Sequence, residues 1–314
     1  SRFMKNFKKI FFVLAMLLAA GTMVFAGGAK ESSLPSIDLT MDRAGAPVTL
    51  PANVERIVSM APSTTEILID LGLADKIIAA DTNTQKDGLL KQDIPYFDMM
   101  KPDAEKLIAL KPDVVFISGM SNAKGNTPFS PLIDAGICVI NIPSSSSIEA
   151  VYLDIAYIAA AVKQEGKGAK IIANMKKEIE AVQKKGAAIA QDKKKTVYFE
   201  IGAAPYMYSL GTGTFINEMI EIIGAQNILA DQKSWIAVSD EMVLAKDPDV
   251  ILTNVNYIPN PIDEIMARAG WASLKAVKGK KVFGIDTNSS SRPNHNIIKA
   301  LKEMAKAVYP EIYK

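Results

Sequence analysis

One histidine and one cysteine, His295 and Cys138, are the whole supply of those residue types in 314 residues. Zinc sites and Cys/His electron-transfer centres take several such ligands, so neither can be assembled here. As a general base His295 would need a nucleophile and an orienting acid from elsewhere in the chain. In Arg292-Pro293-Asn294-His295-Asn296 it reads instead as a cap or ligand-contact residue at the start of the last helix. Gly211-Thr212-Gly213 lies between a strand pattern and a helix pattern, but Ile216 stands where a dinucleotide fingerprint has its third glycine. Neither Gly-x-x-x-x-Gly-Lys-Ser/Thr nor Gly-x-Ser-x-Gly occurs, which removes P-loop and α/β-hydrolase chemistry. The expectation is a binding protein, not an enzyme. Its useful surface is Phe97-Asp98-Met99-Met100, Gly119-Met120-Ser121, Pro205-Tyr206-Met207-Tyr208 and Trp235, the last in a polar loop with no apolar stripe to join. Met and Tyr side chains shape themselves to bulky ligands.

Those segments need elements to hold them. Residues 56–60, 76–80, 113–117, 138–142, 195–201, 249–253 and 281–285 are continuous apolar runs. Unbroken Val/Ile runs fit parallel strands covered on both faces. Cys138, inside one of them, is most simply a small buried hydrophobe. Helical patterns cover 64–71, stopped by Gly72, then 147–162, 167–189, 215–223, stopped by Gly224, and 296–308. Residues 104–115 align without a gap on 240–251, each reading as a short helix, a Pro-Asp turn and a buried strand. The fold class is therefore α/β, with two Rossmann-like lobes of parallel sheet flanked by helices. One long helix joins them, and a ligand cleft lies between. That helix carries Ile171, Ile172, Met175, Ile179 and Val182 on one stripe. It is stiffer than a polar linker, so the lobes should shift only slightly. In open α/β sheets ligands bind beyond the carboxyl ends of the strands, where the Met- and Tyr-bearing loops lie.

Hydrophobic residues make up 49% and charged residues 22%, ordinary globular usage. The net charge of +2 gives no sign of a nucleic-acid partner. Ser1 to Phe3 read as a scar or upstream extension. After Met4, three lysines, an apolar run and a Val-x-Ala site describe a signal peptide over 1–26, cleaved after Ala26. Arg2, Lys5, Lys8 and Lys9 leave with it, which turns +2 into −2. No cysteine stands at the cleavage site for lipid attachment, so the expected location is the periplasm. Residues 27–45 read as a flexible leader, 46–163 as the N-terminal lobe, 164–190 as the interlobe helix and 191–314 as the C-terminal lobe.

Five segments in order carry a resemblance: Arg56-Ile57-Val58-Ser59-Met60-Ala61-Pro62-Ser63-Thr64-Thr65-Glu66; Leu110-Lys111-Pro112-Asp113; Gly213-Thr214-Phe215-Ile216-Asn217-Glu218 with Gly224-Ala225-Gln226-Asn227; Asp247-Pro248-Asp249; and Ser291-Arg292-Pro293. Over about residues 46–312 the chain resembles the extracytoplasmic substrate-binding proteins that serve ABC importers of cobalamin, haem and ferric siderophores. The resemblance implies a monomer that holds its ligand between two lobes with little closure. It delivers the ligand to a permease dimer driven by a cytoplasmic ATPase. The cargo would be an iron chelate, that is a ferric siderophore or haem, or a corrinoid such as cobalamin, with no separate cofactor and no metal bound directly. The resemblance places Asn83, Met99, Ser118, Met207, Trp235 and Arg292 in the ligand wall, of which only Trp235 keeps the large aromatic of cobalamin binders. For haem it offers Tyr206, Tyr208 and His295 as axial ligands. Glu105 and Glu241, each seven residues before the Pro of its Pro-Asp turn, match the acidic residues that meet permease arginines. Another role for the same fold is as ligand-binding partner of a membrane sensor or chemoreceptor. Free zinc or manganese uptake is disfavoured by the single histidine.

Overall fold

The computed structural model describes residues 36–122 and 126–314; the signal-peptide segment 1–26 and residues 27–35 of the leader lie outside them. The first lobe runs β1 (Ile57–Ser59), α1 (Pro62–Asp70), β2 (Ile77–Asp81), α2 (Thr82–Lys86), β3 (Tyr96–Phe97), α3 (Ala104–Ala109), β4 (Val114–Ser118), α4 (Ser130–Asp134) and β5 (Cys138–Ile142). Its five strands are parallel, in the order β3-β2-β1-β4-β5. Helices α5 (Ile148–Ala161) and α6 (Glu165–Ala187) follow. The second lobe runs β6 (Thr196–Glu200), β7 (Tyr208–Leu210), α7 (Phe215–Ile222), β8 (Gln226–Asn227), β9 (Trp235–Ala237), α8 (Asp240–Lys246), β10 (Val250–Thr253), α9 (Pro261–Ala267), α10 (Lys275–Lys278), β11 (Val282–Gly284), α11 (Thr287–Ser291) and α12 (Ile297–Val308). Its parallel sheet has the order β11-β10-β6-β8, and β7 with β9 form a separate antiparallel ribbon.

The central strands are buried on both faces, as their unbroken apolar runs require: Ile57, Val58 and Ser59 of β1 are 0% exposed. The internal repeat extends to the backbone. Lys111 and Asp247 occupy equivalent positions after α3 and α8, and both are left-handed, at φ 49° and 44°. In the same turns the Asp113 carboxylate accepts the Glu55 and Arg56 N–H groups at 2.8 Å, and Asp249 accepts the Thr196 N–H at 2.9 Å. Each Pro-Asp turn therefore ties the start of its own strand to the start of the central strand beside it.

Helix α6 packs against α5 on one side and against α7 and α12 on the other. With 23 residues it is about 35 Å long. Gly186 lets its last turn meet the second lobe: an added Cβ would lie 2.3 Å from the Ile222 carbonyl oxygen. Tyr313 closes this junction, its hydroxyl donating to the Val182 and Ile223 carbonyls. Gly211 has a similar use. Its backbone runs so close to Gln232 that a Cβ would sit 2.1 Å from that carbonyl oxygen, and Thr214 caps α7. The Gly-Thr-Gly run is a packing turn.

Residues 37–45, expected to be flexible, pack on the first lobe. Asp42 accepts from the Asn141 N–H of edge strand β5, Arg43 bonds Asp154 of α5 at 2.8 Å, and Tyr157 donates to the Met41 carbonyl. Buried polar partners on α5 hold the segment, which its small polar composition did not reveal.

A second interlobe junction is polar. Glu66 of α1 accepts three donors from the segment that follows α11: Arg292 at 2.8 Å, Asn294 at 2.6 Å and Asn296 at 3.2 Å. Arg292 also binds Asp87, Asn294 donates to the Ser63 carbonyl at 3.0 Å, and His295 pairs with Asp70. At the far side Glu218 of α7 accepts the Ile148 N–H at the start of α5. Because Glu66 is largely buried, removing its charge strips Arg292 of one partner and leaves three donors competing for one amide oxygen. Glu66→Gln should lower stability by about 2 kcal/mol in urea unfolding. Asp249→Ala should cost about 1 kcal/mol in the same measurement, and Asp113→Ala less, since its N–H partners can turn to water.

Candidate ligand cleft

In each lobe the strand order reverses between two central strands, β1 and β4 in the first, β6 and β10 in the second. The chain leaves such a pair in opposite directions, so the loops at their carboxyl ends diverge and open a crevice. In the first lobe those loops carry Ala61, Pro62, Ser63 and Thr64 after β1 and Met120 after β4. With Met99, Ser118 and Pro143 they line a cavity of about 130 Å³. In the second lobe Ile201 follows β6, and Asn254, Val255, Asn256 and Tyr257 follow β10. With Ile216, Trp235 and Thr287 they line a cavity of about 300 Å³. Ser291, at the end of α11, lines both.

Trp235 stands on the ribbon strand β9, paired with Leu210 of β7, and remains 42% exposed on the cleft wall. Tyr257 faces the same cavity and is 65% exposed, and its hydroxyl accepts the Ala203 N–H at 2.7 Å. Sequence reasoning missed Tyr257. The signal was there, since it follows an apolar run as the other loop aromatics do. Met99 belongs both to the core of the first lobe and to the cleft. Ser118 also lines the cleft, and its buried hydroxyl has no hydrogen-bond partner among the described residues.

Other expected wall residues lie elsewhere. Met207 is buried in the second core, its sulfur 3.1 Å from Arg268, because the alternation around β7 turns it inward. Its neighbours Tyr206 and Tyr208 turn outward and are exposed, and neither lines the two cavities. Asn83 is exposed on α2, its N–H held by Asp81 at the helix start. His295 is committed to Asp70 through Nε2 and lines a different groove, with Lys170 and Asn174 of α6. Its ring is part of the lobe junction and lines neither cleft cavity. Arg292 does line the cleft, but Glu66 and Asp87 hold its guanidinium. Burial works to lower its pKa, and the bonds from the two carboxylates outweigh that and raise it.

Beneath the second cavity Arg268, 6% exposed, joins Glu200 of β6 at 2.7 Å and stacks on Trp271. Trp271 in turn donates to Asp240 at 2.6 Å, at the start of α8. Glu241 is the next residue and is exposed, as is Glu105 in the first turn of α3. Bonds from its own backbone N–H and from Ser239 keep the Glu241 carboxyl below its ordinary pKa. Neither glutamate is in an ion pair among the described residues. Each helix runs on into the start of a strand, so both glutamates sit on the side of their lobe where the strands end.

Comparison with known proteins agrees with this layout. A family model described as periplasmic binding protein matches residues 57–288. The chain is 33% identical over 273 residues to an uncharacterized ABC transporter substrate-binding lipoprotein, YvrC, of Bacillus subtilis, covering 87% of this chain and 86% of the other. It is 25% identical to a cobalamin-binding protein of Halobacterium salinarum, covering 95% and 84% of the two chains. A crystal structure from Staphylococcus epidermidis, described as a possible iron-binding periplasmic solute-binding protein, is 26% identical with a TM-score of 0.71. The match covers 82% of this chain and 99% of that one. The family consists of non-enzymatic, extracytoplasmic binding proteins. With a switch-point crevice in each lobe, the chain belongs to the periplasmic binding protein family, as a substrate-binding protein of an ABC importer.

Proposed function

We propose that this protein captures an intact metal chelate or corrinoid in the interlobe cleft and presents it to its permease through Glu105 and Glu241. The observation that carries the reading is the wall itself. Trp235 and Tyr257 offer flat apolar faces on one lobe, Met99 and Met120 offer adaptable ones on the other, and hydroxyl and amide groups lie between them. Such a surface suits a bulky ligand held by stacking and a few hydrogen bonds. It does not suit a bare cation: no cluster of three His, Cys, Asp or Glu exists among the described residues. The cobalamin-binding and possible iron-binding relatives support this class of cargo. Haem is a second reading, favoured by Tyr257, whose phenol faces the cleft. His295 is held by Asp70 and takes no part in it. Export by the segment 1–26 belongs to the same proposal.

Docking follows from exposure and placement. Equivalent unpaired carboxylates on two rigid lobes can meet two equivalent basic sites on a permease dimer at once, and the fixed spacing makes the second contact intramolecular.

Absorbance and fluorescence titration with cyanocobalamin, ferrichrome and haem should give saturable binding to at least one of them. Trp235→Ala should weaken that binding about tenfold, the worth of one aromatic contact. No saturation with any of the three would end the proposal. Replacing Glu105 and Glu241 together by Arg should abolish uptake in cells while ligand affinity stays within about twofold, because neither residue lines the cleft. A matching loss of affinity would show that the glutamates act on the ligand site.

A further inference from the structure

The cleft contains a guanidinium that does not act as a free positive charge. Arg292 lines the first-lobe cavity, 12% exposed, and its two terminal nitrogens are taken by Glu66 and Asp87. Both carboxylates come from the opposite lobe, and Asn288 adds a contact to Asp87 at 3.5 Å. One cation thus meets two anions, so the group as a whole carries a net negative charge. The other charged side chain lining the two cavities among the described residues is Asp154, bonded by Arg43 and Ser145. Burial raises the Asp154 pKa, against the pull of those partners. Among the described residues the remaining polar lining is neutral, including Ser63, Thr64, Ser118, Asn254, Asn256 and Thr287. Ser118 brings a buried hydroxyl with no partner among the described residues. Among the described lining residues, a multiply charged anion placed here would lose its hydration and gain no unpaired cation in exchange, close to carboxylates that repel it.

Building on the proposed function, we infer that the cleft selects chelates with no net negative charge, and that Glu66 and Asp87 set this selectivity by neutralising Arg292. A corrinoid with balanced charges or a ferric trihydroxamate satisfies this rule. Haem, with two propionates, and a triply negative ferric triscatecholate do not. Arg292 is then a positioning residue. It fastens the lobes at a fixed gap, and the ligand reads the uncharged groups around it.

The test is a charge series on the wild-type protein by isothermal titration, with cyanocobalamin and ferrichrome as the neutral probes and haem and ferric enterobactin as the anionic ones. The expected result is that a neutral probe binds at least a hundredfold more tightly than either anionic probe. In Asp87→Asn one of the two neutralising charges is gone, and the anionic-to-neutral affinity ratio should rise about tenfold. That rise should shrink as salt is added, because it is an electrostatic change. Tighter binding of an anionic probe by the wild type, or an unchanged ratio in Asp87→Asn, overturns the inference and leaves the proposed function standing. Failure of all four probes to bind overturns both.

Discussion

Glu66 holds the two lobes in register. Its carboxylate takes donors from three side chains of one short segment of the other lobe, within a junction that Asn294 extends to the first turn of α1. Charge-assisted bonds of this kind are stronger than neutral ones, and a largely buried set leaves little freedom to slide. The cleft depends on this, since its first-lobe cavity is walled partly by Pro62, Ser63 and Thr64 of α1 and partly by Ser291, Arg292 and Pro293. The groups that fasten the lobes and the groups that shape the pocket are neighbours in the chain. A change of lobe angle would therefore change the pocket.

Rigidity comes from the opposite side as well. Helix α6 packs on both lobes, and its end is pinned by the close approach of Gly186 to the α7 terminus and by the Tyr313 hydroxyl. A stiff connector and a polar junction together make a preformed cleft. Preorganisation of this sort reduces the ordering cost of binding and suits a rigid ligand more than a flexible one.

Much of the architecture was legible from local pattern. The apolar runs became parallel strands, and the repeat of 104–115 in 240–251 proved equivalent down to the left-handed residues Lys111 and Asp247. Trp235 was singled out because it had no stripe to join, and it lines the second-lobe cavity. Met207 was misplaced because its loop motif, Pro205-Tyr206-Met207-Tyr208, does not say which of three neighbouring large side chains turns inward; packing against Arg268 and Trp271 decides that. Residues 37–45 looked like a leader because their anchors, Asp154 and Tyr157, lie more than a hundred positions away.

By itself the sequence determined the fold class, the two-lobe plan, the absence of a catalytic constellation and the family, because these rest on periodicity and short motifs that neighbouring residues specify together. Only the tertiary structure decided the electrostatics of the cleft. The family resemblance places Arg292 in the ligand wall without saying what meets its charge; in the fold Glu66 and Asp87, 226 and 205 positions away, neutralise it. A charge acts through space on whatever surrounds it, and those surroundings exist only once distant segments have packed against one another.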